Sequence, residues 1–169
     1  MANYTAADIK ALREQTGAGM LDVKKALDES NGDIEAAKEA LRIKGLKGVT
    51  KREGRSASNG LVAAHTGNGA GTLLEINCET DFVAKGEKFI ALADKVLGHA
   101  AEQQIDSAEA LLSSELDGQT VQALLDSSNA EIGEKIEVRN LARLTAPEGG
   151  QVVAYLHKTS PDLPAQIGV

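Results

Sequence analysis

The chain has 169 residues, 42% of them hydrophobic, which suffices for one or two domains with real cores and excludes a disordered chain. Aromatics are only 2% (Tyr4, Phe82, Phe89 and Tyr155), so the core must come from Ala, Leu, Val and Ile, and an aromatic outside it is a candidate for a specific task. The net charge of −7 disfavours nucleic acid except at one place, where Lys44, Lys47, Lys51, Arg52 and Arg55 lie together with only Glu53 opposing them.

From the N-terminus, Thr5-Ala6-Ala7-Asp8 has the form of a capping box with Asp in place of Glu, and Ile9 and Leu12 continue an apolar stripe. Thr16-Gly17-Ala18-Gly19 breaks that helix. A second starts near Met20, with Met20, Val23 and Leu27 on one face, and stops at Asn31-Gly32. Asp33 caps a third, with Ile34, Ala37 and Leu41 spaced for one face and Gly45 as its end. Residues 1–45 therefore read as a small three-helix module, with little room for a catalytic cleft and a shape suited to docking. Residues 46–58 read as a basic linker, either a solvated hinge or, as the alternative, a contact for nucleic acid; no aromatics interleave with its charges.

Residues 59–146 read as an α+β unit. Leu61–Thr66 and Thr72–Asn77 are strands joined through Gly67-Asn68-Gly69, and Ile136–Leu144 alternates with period two as a third strand. Glu87–Ala101 is a helix with Phe89, Leu92, Val96 and Leu97 inward. Ser107–Leu112 and Thr120–Ile132 are shorter helices. The fold class is α+β, an antiparallel sheet with helices packed on one side. Val152–Leu156 reads as a further strand, and Gln166–Val169 as one barely begun, so residues 147–169 are expected to start a second subdomain of a longer protein.

The most informative stretch is Asn77–Lys85, a strand-to-helix corner. Two readings compete for it. In one, Thr80 or Asp81 is an N-cap and Phe82 folds back into the core. In the other, the corner presents Asp81 and Phe82 outward from a rigid support.

Few features point to catalysis. There is no phosphate-binding Gly-x-x-x-x-Gly-Lys-Ser/Thr loop, and the glycines at 67, 69 and 71 join two strands rather than opening a helix. Cys78 is the single cysteine, which excludes a disulfide within the chain and fits a reducing, cytoplasmic setting; it reads as a small buried apolar residue. His65, His99 and His157 show no metal-ligand spacing. No apolar run approaches a membrane span, and no signal peptide is visible.

Three segments carry a resemblance. Leu12–Leu27, reading Leu-Arg-Glu-Gln-Thr-Gly-Ala-Gly-Met-Leu-Asp-Val-Lys-Lys-Ala-Leu, then Asn31-Gly32-Asp33-Ile34, then Glu75-Ile76-Asn77-Cys78-Glu79-Thr80-Asp81-Phe82-Val83-Ala84-Lys85, resemble bacterial translation elongation factor Ts. The resemblance implies a non-enzymatic guanine-nucleotide exchange factor for elongation factor Tu that needs no cofactor, no metal of its own and no nucleotide site. It implies that the N-terminal module, similar to ubiquitin-associated domains, docks on the GTPase through Arg13, Met20 and Leu21. Leu21 stands where the family often has Met, a small change of apolar shape. The corner Thr80-Asp81-Phe82-Val83 would enter the partner beside its magnesium and nucleotide phosphates, with Ile132 and His157 as further contacts. Because Mg²⁺ bridges phosphate and protein oxygens, disturbing its shell weakens nucleotide binding. By the same resemblance the chain continues beyond residue 169.

Overall fold

The structure is a computed structural model that describes residues 3–52 and 54–169; the side chains of residues 46, 47 and 49–51 are outside the described set. The chain divides into two units, Met1–Gly54 with Asp126–Glu134, and Arg55–Leu125 with Lys135–Val169.

The first unit contains α1 (Ala6–Thr16), α2 (Met20–Glu29) and α3 (Ile34–Arg52). Thr5 forms a complete capping box: its hydroxyl accepts from the Asp8 N–H, while its own N–H donates to Asp8 Oδ2 at 2.7 Å. Gly17 closes α1 in the left-handed region at φ 66°, its N–H donating to the Arg13 carbonyl. Asn31 and Gly32 end α2 with positive φ, and Asp33 Oδ1 accepts from the Ala36 N–H at the start of α3. The three helices bury Leu12, Val23, Ala26, Leu27, Ala37 and Leu41, with Tyr4, Ile9, Ala18 and Ile34 against them. Each fully buried Leu contributes about 1.5–3 kcal/mol, so so small a core is sensitive to any one of them.

Two expectations need correction here. Met20 does not share the buried face of Val23 and Leu27; it is exposed. Gly45 does not end the third helix, which runs on to Arg52. A glycine inside a helix costs only about 1 kcal/mol relative to alanine. A Cβ at Gly45 would stand 2.7 Å from the Ala130 side chain, so glycine there permits a close approach by the segment 126–134. The first residues of the expected linker are thus helical. Its Glu53 and the side chains of Lys47 and Lys51 lie outside the described residues.

The second unit is built on β1 (Asn59–Gly67), β2 (Ala70–Cys78) and β5 (Glu137–Thr145), an antiparallel sheet in the order β1-β2-β5. Asn68 and Gly69 make the two-residue hairpin turn at φ 52° and 72°, the conformation that an Asn-Gly pair accepts most readily. The register between β2 and β5 slips at Glu75/Ile76, where Ile76 pairs with Val138 and Glu75 with Asn140. That bulge moves Arg139 out of the ladder and reverses the parity of β5, so Ile136 and Leu141 are both buried while Leu144 is exposed. Helix α4 (Asp81–Ala84) is one turn. Helix α5 (Glu87–Glu102) packs on β1 and β2 through Phe89, Leu92, Ala93, Val96 and Leu97, all buried. Helix α6 (Ala108–Ser113), capped by Ser107, is followed by a small ribbon of β3 (Glu115–Leu116) and β4 (Gln119–Thr120), then α7 (Val121–Ile132).

The expected strand Val152–Leu156 is mostly not one. Only β6 (Leu156–His157) pairs, with β7 (Ile167–Gly168), and the exchanged bonds between Tyr155 and Val169 extend that ladder by one residue. Val152 instead packs into the space beside Gly71, where a Cβ would stand 2.5 Å from its Cγ1. The Ala165 carbonyl accepts from the Val62 N–H, which ties the terminal segment to β1.

Candidate partner-binding site

The corner after β2 combines elements of both sequence readings. Thr80 is the N-cap of α4, with extended backbone and its hydroxyl accepting from the Val83 N–H at 3.3 Å. Phe82, however, does not return to the core: it is 77% exposed, and Asp81 beside it is exposed as well. Ala84 takes the buried position of the turn, and Val83 is half-buried.

What precedes the corner is tightly held. Cys78 is fully buried and its thiol donates to the Thr80 carbonyl at 3.2 Å. Glu79, one residue from the cap, accepts from the Lys135 backbone N–H at 2.7 Å and from Arg55 at 3.3 Å, and its carbonyl accepts from the Asn59 amide at 2.8 Å. Asn77 is buried, with its amide donating to the Ala57 carbonyl. Charge-assisted bonds of this kind are the stronger class, so the backbone entering the corner is fixed from both neighbouring segments.

The corner's own charges are balanced locally. Lys85 Nζ lies 3.8 Å from Asp81 Oδ2 and 4.8 Å from the centroid of the Phe82 ring. The sequence reading includes Lys85 in the motif but assigns it no task. The spacing was its signal, since an acid four residues before a lysine faces it across one helical turn.

The other expected contact residues fall in three places. Arg13 in the last turn of α1, and Met20 and Leu21 at the start of α2, flank the turn from Thr16 to Gly19. Met20 is 61% and Leu21 82% exposed, and Arg13 is exposed too. Ile132, the last residue of α7 and half-buried, lines a groove that it shares with Gly17 and Gly19. It therefore stands near the turn carrying Met20 and Leu21, in the same unit. His157 is exposed on β6, its Nδ1 3.1 Å from the Tyr155 hydroxyl, and belongs to the second unit with the corner.

The basic stretch offers fewer open cations than its composition implies. Lys44 is ion-paired to Asp22 at 2.6 Å, Arg52 donates to the Asn129 carbonyl at 3.0 Å, and Arg55 is held by Glu79. Among the described residues no three His, Cys, Asp or Glu side chains gather as a metal site would require, and no helix is long and apolar enough to cross a membrane.

Comparison with known proteins places this architecture. A sequence model of the family described as Elongation factor TS matches residues 79–169, beginning at the corner. Proteins named Elongation factor Ts from Arthrobacter sp. (strain FB24) and Micrococcus luteus are 63% and 62% identical over all 169 residues. The protein of that name from Streptomyces avermitilis is 59% identical over a 172-residue alignment. In each case the whole chain is covered, and it spans about 60% of the relative's length. The helical module and the α+β unit together match, over the whole chain, proteins named as elongation factors. The chain belongs to the elongation factor Ts family.

Proposed function

We propose that this chain is the partner-engaging portion of a guanine-nucleotide exchange factor that acts on elongation factor Tu in the cytoplasm. The observation that carries the reading is Phe82: a large apolar side chain, 77% exposed, beside an exposed carboxylate on a corner entered by a tightly bonded segment, Cys78–Thr80. Exposed aromatic side chains are the kind that anchor protein interfaces, and this one stands beside a charge on a firmly supported corner. In this reading the ring wedges into the partner near its bound Mg²⁺, and Asp81 competes electrostatically with the oxygens that surround the ion. Nucleotide and Mg²⁺ stabilise one another, so displacing one loosens the other. Linkage then requires that nucleotide weaken the factor's hold on the partner by the same factor.

Arg13, Met20 and Leu21 dock the helical module on the GTPase domain, and Ile132 and His157 add contacts. The chain itself makes and breaks no covalent bond and holds neither cofactor nor nucleotide. Residues 147–169 begin a second core subdomain. The alternative, RNA binding through the basic stretch, is disfavoured because Lys44, Arg52 and Arg55 are each engaged by an acceptor within the protein.

The test is release of a fluorescent GDP analogue from elongation factor Tu in magnesium buffer, with this chain and with the protein extended to the length of its relatives. The wild type accelerates release; Asp81→Ala and Phe82→Ala lose the acceleration while still binding. No acceleration by the folded longer protein overturns the reading.

A further inference from the structure

The corner carries a cation that the exchange reading leaves without a task. Lys85 closes α4: its N–H donates to the Asp81 carbonyl at 3.2 Å, and the next N–H, of Gly86, donates to the Val83 carbonyl at 2.9 Å. The base of the lysine side chain is therefore fixed, and its free end reaches back over the turn. There it meets the Asp81 carboxylate and the face of the Phe82 ring at once, at 3.8 Å and 4.8 Å. The spacing makes this possible. Positions 81 and 85 stack on one helical face, and 82 lies one turn before 85.

We propose that Lys85 is the positioning residue of the corner, holding the Phe82 ring and the Asp81 carboxylate in one outward arrangement before the partner arrives. The proposal rests on the exchange reading for its purpose but not for its geometry. Two physical consequences follow. An exposed phenylalanine left alone samples several side-chain rotamers, and a partner must select one. A ring held under an ammonium group arrives already ordered, so less freedom is lost on docking. The carboxylate, in turn, approaches a phosphate-bearing site with a compensating charge beside it, which reduces the repulsion that a bare Asp81 meets. The second effect is screened by salt and the first much less.

The experiment uses the protein at the length of its relatives, with phenylalanine and lysine selectively labelled for NMR. The Lys85 ε-methylene protons, lying over a ring face, resonate upfield of the other lysines, and Phe82→Leu removes that shift. Phe82 occupies one χ1 well in the wild type. It averages over several in Lys85→Met, which keeps most of the stem and removes the charge. Association with GDP-loaded elongation factor Tu slows about two- to fivefold in Lys85→Met, the size of an exposed cation–π contact, and Lys85→Arg restores both readouts. Part of the deficit disappears at high salt. Unshifted Lys85 protons, or a Phe82 rotamer distribution indifferent to Lys85→Met, overturn the proposal. The NMR arm needs no partner, so a wild type that orders Phe82 but never accelerates nucleotide release counts against the exchange reading alone.

Discussion

The turn between α1 and α2 and the corner between β2 and α5 both expose large apolar side chains, but they are supported differently. At the helical turn, Met20 and Leu21 follow Gly19, an N-cap that makes no side-chain capping bond. Their support is the nearby core of Leu12, Val23 and Leu27. At the corner, Asp81 and Phe82 follow Thr80, whose hydroxyl caps the helix and whose carbonyl receives the Cys78 thiol, after Glu79, which is bonded to Lys135 and Arg55. The helical turn combines apolar packing with short-range bonds, the Thr16 hydroxyl to the Leu12 carbonyl and the Gly17 N–H to the Arg13 carbonyl. The corner is pinned by directional bonds to residues distant in sequence, Lys135, Arg55 and Asn59. Packing tolerates small changes of shape, whereas directional bonds fix an angle of approach.

The comparison can be broken first at the cores. Phe89→Ala removes a fully buried ring from the helix that backs the corner and lowers stability by about 3–5 kcal/mol; Leu27→Ala in the helical unit lowers it by about 2–5 kcal/mol. Denaturant midpoints read both. The caps sharpen it next. Thr80→Ala and Thr5→Ala each remove a side-chain acceptor at a helix start and lower stability by about 1 kcal/mol. Amide exchange separates them: Thr80→Ala deprotects the Val83 amide, and Thr5→Ala the Asp8 amide. Equal protection in variant and wild type at either site removes that cap from the account.

The smallest effect is one of pH. The Thr5 backbone N–H, and then its hydroxyl, hold the Asp8 carboxyl below its ordinary value. A carboxyl lowered in the folded state contributes stability at pH above its unfolded value and loses it as pH falls through the folded one. The start of α1 therefore loosens from just below pH 4 downward, in proportion to Asp8 protonation. Asp8→Asn abolishes this dependence at the Asp8 amide. An unchanged pH profile in that variant assigns the loosening to another group.

Much of the fold was legible because its signals are local. Thr5 with Asp8, Asp33 before α3, and Ser107 before α6 are caps whose partners lie three residues away. Asn68-Gly69 makes its turn with its own backbone. The expected strands Leu61–Thr66, Thr72–Asn77 and Ile136–Leu144 form the antiparallel sheet, although the bulge at Glu75/Ile76 breaks the period-two alternation of the third. Gly45 misled because a glycine is the same letter whether it stops a helix or admits a neighbour. Only the nearness of Ala130 tells the two apart. Val152–Leu156 misled because an apolar run says nothing of whether a partner edge is present, and β7 supplies one only from Tyr155 onward.

Phe82 shows where the division lies. Phe82 and Phe89 are seven residues apart, two turns of a continuous helix, and such spacing would place both rings on one face. The sequence by itself set a helix start at Thr80 or Asp81 and an early interruption at Gly86, because these follow from hydroxyl and glycine chemistry within a few residues. The tertiary structure decided which ring is buried. Gly86 adopts an extended backbone at φ −72° and ψ 136°, so α5 starts anew and the helical phase is lost across the break. Phe89 then meets the sheet and Phe82 meets solvent, an outcome set by the direction in which α5 leaves the corner to cover β1 and β2.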